Sequence, residues 1–341
     1  STAWGGAMVP TDDALPLWGG YAYWPWIFYE KRDDGHPATP EYIYRDNHNN
    51  AVPKTYNFEP RYEPESRPYA CCEMMGGMTN CYYYRFQLPF ESVDALANIK
   101  LGSGCNLLGY YMYHGGTNPR GEQTPFLNEA QVPKLSYDYQ AAIGEYGQLR
   151  PSYYRLKVLH YFCQTFFQQL CQTKVVLPEG ADDMEPNDTE HLRYSVRLCG
   201  NSGFVFLDNF QDHLELPPRK DESILLQLPE GDLLLEGLSL IGGENAILPF
   251  NQDLDGALLR YSTAQPITRL AEEKVWFFFA PDGMTPVYCF DGGSVRFAEG
   301  CSCERVNGFL RCRPEVGKTG SFQVEGENGT VTIVTLTRAD S

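Results

Sequence analysis

The run Arg67-Pro68-Tyr69-Ala70-Cys71-Cys72-Glu73 is extended in character and ends in an acid. A carboxylate held at the end of a strand is rigid enough to serve as a nucleophile or a proton carrier. The plainer alternative is that Glu73 pairs with a nearby arginine such as Arg67 or Arg85. A second run, Asn106-Leu107-Leu108-Gly109-Tyr110-Tyr111-Met112-Tyr113, leads into His114-Gly115-Gly116. His114 has no second His or carboxylate at ligand spacing, so a packing or hydrogen-bonding role is expected of it. Cys301, Cys303 and Cys312 do not have the spacing of paired CxxC zinc knuckles, and no metal is expected there. The 11 cysteines are an odd number, so at least one has no partner within the chain. Adjacent Cys71 and Cys72 do not suit a disulfide framework, which favours a reduced, cytoplasmic setting while leaving secretion open. Neither a Gly-x-Ser-x-Gly elbow nor a phosphate-cradling glycine loop before a helix occurs, which argues against serine-based hydrolysis and nucleotide chemistry.

These residues need elements to hold them. Both runs read as buried strands whose far ends open into loops. Between them, residues 92–101 put Val93, Leu96, Ala97 and Ile99 at helical spacing behind Ser92, a possible cap, so an amphipathic helix is expected. Strand, helix and strand then make one parallel crossover unit. A second helix is expected after Pro151, with Leu156, Leu159 and Phe162 on a common face packed outside the strands. Residues 30–66 are polar and rich in Pro, Asn and Asp, and read as a long loop that either walls a site or makes a surface excursion. Beyond about residue 172 the texture changes to short β-type runs at 204–207, 224–228, 275–279 and 330–334, as expected of an all-β region. Residues 179–190 read as a connector.

A net charge of −17 would repel nucleic acid and anionic lipid, so neither is expected as a partner. No apolar run approaches the roughly 20 residues needed to span a bilayer. With 23 Tyr, 19 Phe and 5 Trp, the chain has rings to cover the C–H faces of a neutral sugar, although any one ring serves equally well as core.

The block Tyr111-Met112-Tyr113-His114-Gly115-Gly116-Thr117-Asn118, then Ser136-Tyr137-Asp138-Tyr139, then Glu145-Tyr146-Gly147, resembles in its order the end of the catalytic barrel of family 35 β-galactosidases. The resemblance covers most of residues 1–165 and weakens beyond, where Ser202-Gly203-Phe204-Val205-Phe206-Leu207-Asp208-Asn209 still looks like an accessory strand of the family. It implies part of a (β/α)8 TIM barrel, strands five or six to eight, over residues 1–171, and a β-sandwich-like accessory region over 172–341. It also implies Glu73 as the nucleophile at the end of the seventh strand and Tyr111 at the end of the eighth, lining the sugar pocket. Tyr137 and Tyr139 become loop tyrosines that enclose a galactosyl unit. No cofactor is implied, and the substrate is a β-galactoside oligosaccharide or glycoconjugate. The residues after Glu73, Met74-Met75-Gly76-Gly77-Met78, depart from the aromatics many members carry there, which puts the subsite shape in question.

A retaining glycosidase needs two carboxyl groups about 5–5.5 Å apart. In the family the proton donor is the Glu of an Asn-Glu pair on the fourth strand, well before the nucleophile. Counting back from Glu73 assigns residues 15–19 to the sixth strand and 1–4 to the tail of the fifth, so the donor strand is expected on a missing N-terminal half, with the isolated chain inactive. Asn128-Glu129 and Glu145 are decoys by this reading. Two other readings compete: a non-catalytic sugar-binding or remnant protein that kept the pocket tyrosines, and a family glycosidase acting on another sugar.

Overall fold

A parallel pair of strands organises the site-bearing part of the chain. The computed structural model describes residues 38–46, 68–80, 85–123, 127–129 and 132–341. In it β1 (Ala70–Met75) pairs in parallel with β2 (Leu107–Tyr111), and α1 (Glu91–Gly102) makes the crossover between them. The expected strand, helix, strand unit is therefore present. Residues 1–4 and 15–19, expected to be strands, lie outside the described residues, as does most of 30–66.

The helix α1 differs from its expectation in two ways. Ser92 does not cap it: the helix starts at Glu91 after Phe90, and the Ser92 hydroxyl donates instead to the Pro89 carbonyl. Nor is α1 amphipathic, since Ser92 through Gly102 are all buried. Its charged residues tolerate this because each has a partner. Asp94 accepts from Arg155 and Lys100 donates to Glu41, both at 2.6 Å. Burial alone would lower the Lys100 pKa, but the Glu41 carboxylate outweighs it and holds the ammonium above its usual range. Part of the expected long loop supplies this cover. Tyr42 and Tyr44 are buried there and donate to the Ser92 carbonyl at 3.2 Å and the Asn98 side chain at 2.6 Å.

Past β2, the short strand β3 (Gly116–Thr117) pairs antiparallel with β6 (Ser136–Tyr137), and between them β4 (Leu127–Glu129) and β5 (Val132–Lys134) form a hairpin. Asn128-Glu129 thus sits on a hairpin strand rather than in an irregular loop. The chain divides into two compact units: Ser1–Leu156 with Glu179–Thr189 and Phe210–Glu215, and Lys157–Pro178 with Glu190–Asn209 and Leu216–Ser341. Phe210–Glu215 joins the first through Asp212, whose Oδ1 accepts from the Thr39 backbone N–H at 2.9 Å and the Thr39 hydroxyl at 3.1 Å. Burial drives the Asp212 carboxyl up to about 7.

The second unit is β-rich, as its texture suggested. In chain order it contains β7 (Lys174–Val176), β8 (Arg193–Cys199), β9 (Ser202–Asp208), β10 (Arg219–Leu226), β11 (Leu233–Leu240), β12 (Asn245–Leu254), β13 (Ala257–Ser262) and β14 (Gln265–Leu270). There follow β15 (Val275–Phe279), β16 (Tyr288–Asp291), β17 (Ala298–Glu299), β18 (Ser302–Val306), β19 (Phe309–Arg313), β20 (Gly320–Gly326) and β21 (Gly329–Leu336). One sheet has eight strands in the order β18-β19-β16-β13-β12-β9-β8-β7; another has five, β14-β15-β21-β20-β17. β9 is buried on both faces, which explains its unbroken apolar sequence. Phe204 and Phe206 point to one side and meet Phe162 of the helix α2 (Pro151–Leu170), with ring centroids 5.1 and 6.5 Å away. Val205 and Leu207 point to the other and join Leu235, Leu240 and Leu248. Tyr288 of the larger sheet packs against Phe278 and Phe322 of the smaller at 5.2 and 5.1 Å. Buried Arg197 finishes α2: its Nη2 donates to the Leu170 carbonyl and its Nε to the Thr173 hydroxyl, each at 2.7 Å. Among the described residues no helix is long and apolar enough to cross a membrane.

Phe204 is fully buried between α2 and the sheet, so Phe204→Ala is expected to lower the unfolding free energy by about 3–5 kcal/mol, read as a shift in denaturant midpoint. A loss under about 1 kcal/mol would contradict this packing.

Candidate active site

Around Glu73 the strand is irregular. Cys71 pairs with Leu108 and Met74 with Tyr110, so Cys72 and Glu73 together lie opposite Gly109 alone. Such a bulge leaves one residue without a ladder partner and re-aims side chains. Glu73 is half-buried and is not the last residue of its strand: β1 continues through Met74 and Met75, both fully buried. Regular pairing resumes with Met75 opposite Tyr111. Glu73 lies within the irregular stretch, two residues before that pair.

Immediately after β1 the chain passes very close to its neighbours. A Cβ on Gly76 would collide with the Met112 carbonyl, and one on Gly77 with the Tyr139 carbonyl and Ala141 backbone. Met78 is fully buried as well. The unusual Met-Met-Gly-Gly-Met stretch thus has a packing reason: three methionines fill core, and two glycines allow the end of β1 to abut the end of β2 and the loop after β6.

The three tyrosines singled out in the sequence come together. Tyr111 and Tyr137 hydroxyls are hydrogen-bonded at 2.7 Å, and their rings meet edge to face at 6.4 Å. Tyr139 sits 5.2 Å from each of the other two rings. Its backbone and that of Gln140 are left-handed, with φ of 60° and 50°. Two successive non-glycine residues in that region are costly and persist only where the surroundings over-determine them.

Those surroundings are polar, and sequence inspection missed them. Asp138 Oδ1 accepts from the Glu145 backbone N–H at 2.8 Å, while Oδ2 accepts from the Gln140 N–H at 3.2 Å and from Arg150 Nη2 at 2.6 Å. Gln140 Nε2 donates to the Met78 and Phe86 carbonyls at 3.1 and 3.2 Å, and its Oε1 accepts from the Leu88 N–H at 2.9 Å. Burial would raise the Asp138 pKa, but the Glu145 N–H and the Arg150 guanidinium together hold it below the usual range. The signal available in the sequence was an Asp between two tyrosines, since Asp favours hydrogen bonds to its own turn.

Glu145 is also tied up. Its carboxylate accepts from the Ser136 and Thr117 hydroxyls, across the β3–β6 pair, and these two bonds hold its pKa below the usual range. A carboxyl so stabilised as the anion is a poor proton donor. His114 is exposed, with its Nδ1 against the Gly115 carbonyl.

Two comparisons bear on this arrangement. Residues 21–163 match the family described as glycosyl hydrolases family 35. Beta-galactosidase 10 of Arabidopsis thaliana is 48% identical over 74 residues, which is 21% of this chain and 9% of that protein.

Because the Asp138 pKa is depressed, its contribution is present above the ordinary carboxylate range and is lost as pH falls through the depressed value. Hydrogen exchange at the Glu145 amide, corrected for its intrinsic rate, is expected to show constant protection above about pH 5 and loss well below about pH 4. Asp138→Asn should reduce that protection already at neutral pH; unchanged protection in the variant would show that the loop is held by something else.

Proposed function

From the match of residues 21–163 to glycosyl hydrolases family 35, we propose that this chain bears the nucleophile of a retaining β-galactosidase. Supporting this is the register of β1 and β2: Met75 and Tyr111 stand side by side near the C-terminal ends of the parallel pair, two residues from Glu73, and Tyr111 belongs to the Tyr111, Tyr137, Tyr139 cluster. Sites of open and closed parallel sheets lie at that end. On this reading β1 and β2 are the seventh and eighth strands of a (β/α)8 barrel within residues 1–171, and 172–341 is the accessory region.

The proposed chemistry is a double displacement. A Glu73 oxygen attacks the anomeric carbon of a terminal β-galactose as the glycosidic bond breaks, and the leaving oxygen takes a proton from the acid partner. Water, deprotonated by that same partner, then attacks the galactosyl–Glu73 ester, releasing galactose and restoring the carboxylate. The tyrosine hydroxyls hydrogen-bond sugar hydroxyls, and their rings cover the C–H face. Neither Glu145, stabilised as an anion, nor Glu129, on the β4–β5 hairpin, suits the acid role, so we assign that role to a carboxylate on another barrel strand. The depressed Glu145 also keeps the sugar-binding reading in play, since a pocket can hold galactose without an acid.

A glycosyl fluoride needs little acid assistance to leave, so it tests the nucleophile separately from its partner. Exposure to 2-deoxy-2-fluorogalactosyl fluoride is expected to leave one covalent adduct, mapped by peptide mass to Glu73 and absent in Glu73→Gln; an adduct on a different carboxylate would sink the assignment. Tyr111→Phe removes one neutral hydrogen-bonding group worth about 0.5–1.5 kcal/mol, so a roughly 2- to 10-fold weaker capture of the reagent is expected, with adduct position unchanged. No change in capture would remove Tyr111 from the pocket.

A further inference from the structure

We propose that Cys301, Cys303 and Cys312 form a three-thiolate site for a thiophilic d10 metal ion, Zn2+ or Cu+, at the edge of the eight-stranded sheet. The hairpin that builds it is tightly specified. Asn307 and Gly308, with φ of 52° and 83°, make the two-residue turn between β18 and β19 that fixes register. Val306 and Phe309 flank that turn as a hydrogen-bonded pair, and counting back by alternation makes Cys303 and Cys312 a non-hydrogen-bonded pair, whose side chains approach most closely. Cys301 lies just before β18, next to Gly300 with φ 91°, and its sulfur reaches that of Cys303.

The sulfur of Cys303 lies 3.3 Å from that of Cys301 and 3.7 Å from that of Cys312, and all three lie within 4.8 Å of one another. Sulfurs sharing one ion at a metal–sulfur distance of about 2.3 Å stand about 3.7–4.0 Å apart, so small rotations of the side chains suffice. Thiolate ligands select Cu+ and Zn2+ over harder cations. Cys312 is buried, Cys301 half-buried and Cys303 exposed, so the site has a closed floor and an open mouth where a water completes tetrahedral Zn2+ or is left out by three-coordinate Cu+. Binding exchanges three thiol protons for one cation, with no change of oxidation state. The sequence spacing hid this because the third ligand arrives across a hairpin rather than along the chain.

The reduced full chain is to be titrated with Zn2+ against a chromophoric chelator and, without oxygen, with Cu+ against bicinchoninate. Uptake of one ion per chain is expected in at least one arm, and the arms say which metal. Cys301→Ser and Cys303→Ser, both accessible positions, should each weaken it at least roughly tenfold, whereas Cys171→Ser, an exposed thiol elsewhere, should not. No uptake in either arm, affinity undiminished by Cys301→Ser or Cys303→Ser, or a stoichiometric Cys303–Cys312 disulfide in peptides from protein kept unreduced would each overturn the proposal.

Discussion

Close backbone approach at Gly76 and Gly77 is the constraint on which the tyrosine site rests. With no side chain at either position, the end of β1 lies against the Met112 carbonyl on one side and the Tyr139 carbonyl on the other. That contact fixes the height of the strand bearing Glu73 relative to β2, and fixes the loop carrying Tyr139 relative to both. Any side chain there would push the loop outward and separate the rings. Hydrogen bonds from Gln140 to the Met78 and Phe86 carbonyls hold the approach from the other direction. Apolar packing and polar satisfaction thus converge on one short stretch.

Much of this was legible in the sequence, for physical reasons. The β1, α1, β2 unit could be read because extended apolar runs and a 3.6-residue period are local signals, and the β-rich texture after residue 172 for the same reason. The order of the tyrosine motifs carried the resemblance to family 35 β-galactosidases. What local signals missed was decided by distant partners. Ser92 could not be seen to bond Pro89 instead of capping, nor could α1 be seen to lose its polar face, because residues 38–46 and Arg155 provide the cover. The bulge at Glu73 has no sequence marker, since it exists only in the pairing with β2. Glu145 looks like any acid until the hydroxyls of Thr117 and Ser136 are brought to it.

The β-rich unit shows a different economy. β9 is apolar at almost every position because two layers need it, the α2 rings on one side and leucines of β10, β11 and β12 on the other. β21, the middle strand of the five-stranded sheet, alternates buried and partly exposed positions instead. Some of the charges inside are completed by a neighbour. Glu244 accepts from Arg338 at 3.1 Å, and that guanidinium also stacks 4.7 Å over the Phe279 ring. Arg197 acts likewise, donating to the Leu170 carbonyl and the Thr173 hydroxyl at the end of α2.

The left-handed pair Tyr139–Gln140 has a consequence for how a ligand would meet this surface. The conformational cost of ordering the loop is met during folding, by Asp138 and its donors, so little freedom remains to be lost when a guest arrives. If the proposed site takes a ligand there, it would choose among ligands by rigid complementarity and would not mould itself around them. It would gain affinity cheaply from a well-matched ring and tolerate a mismatched one poorly.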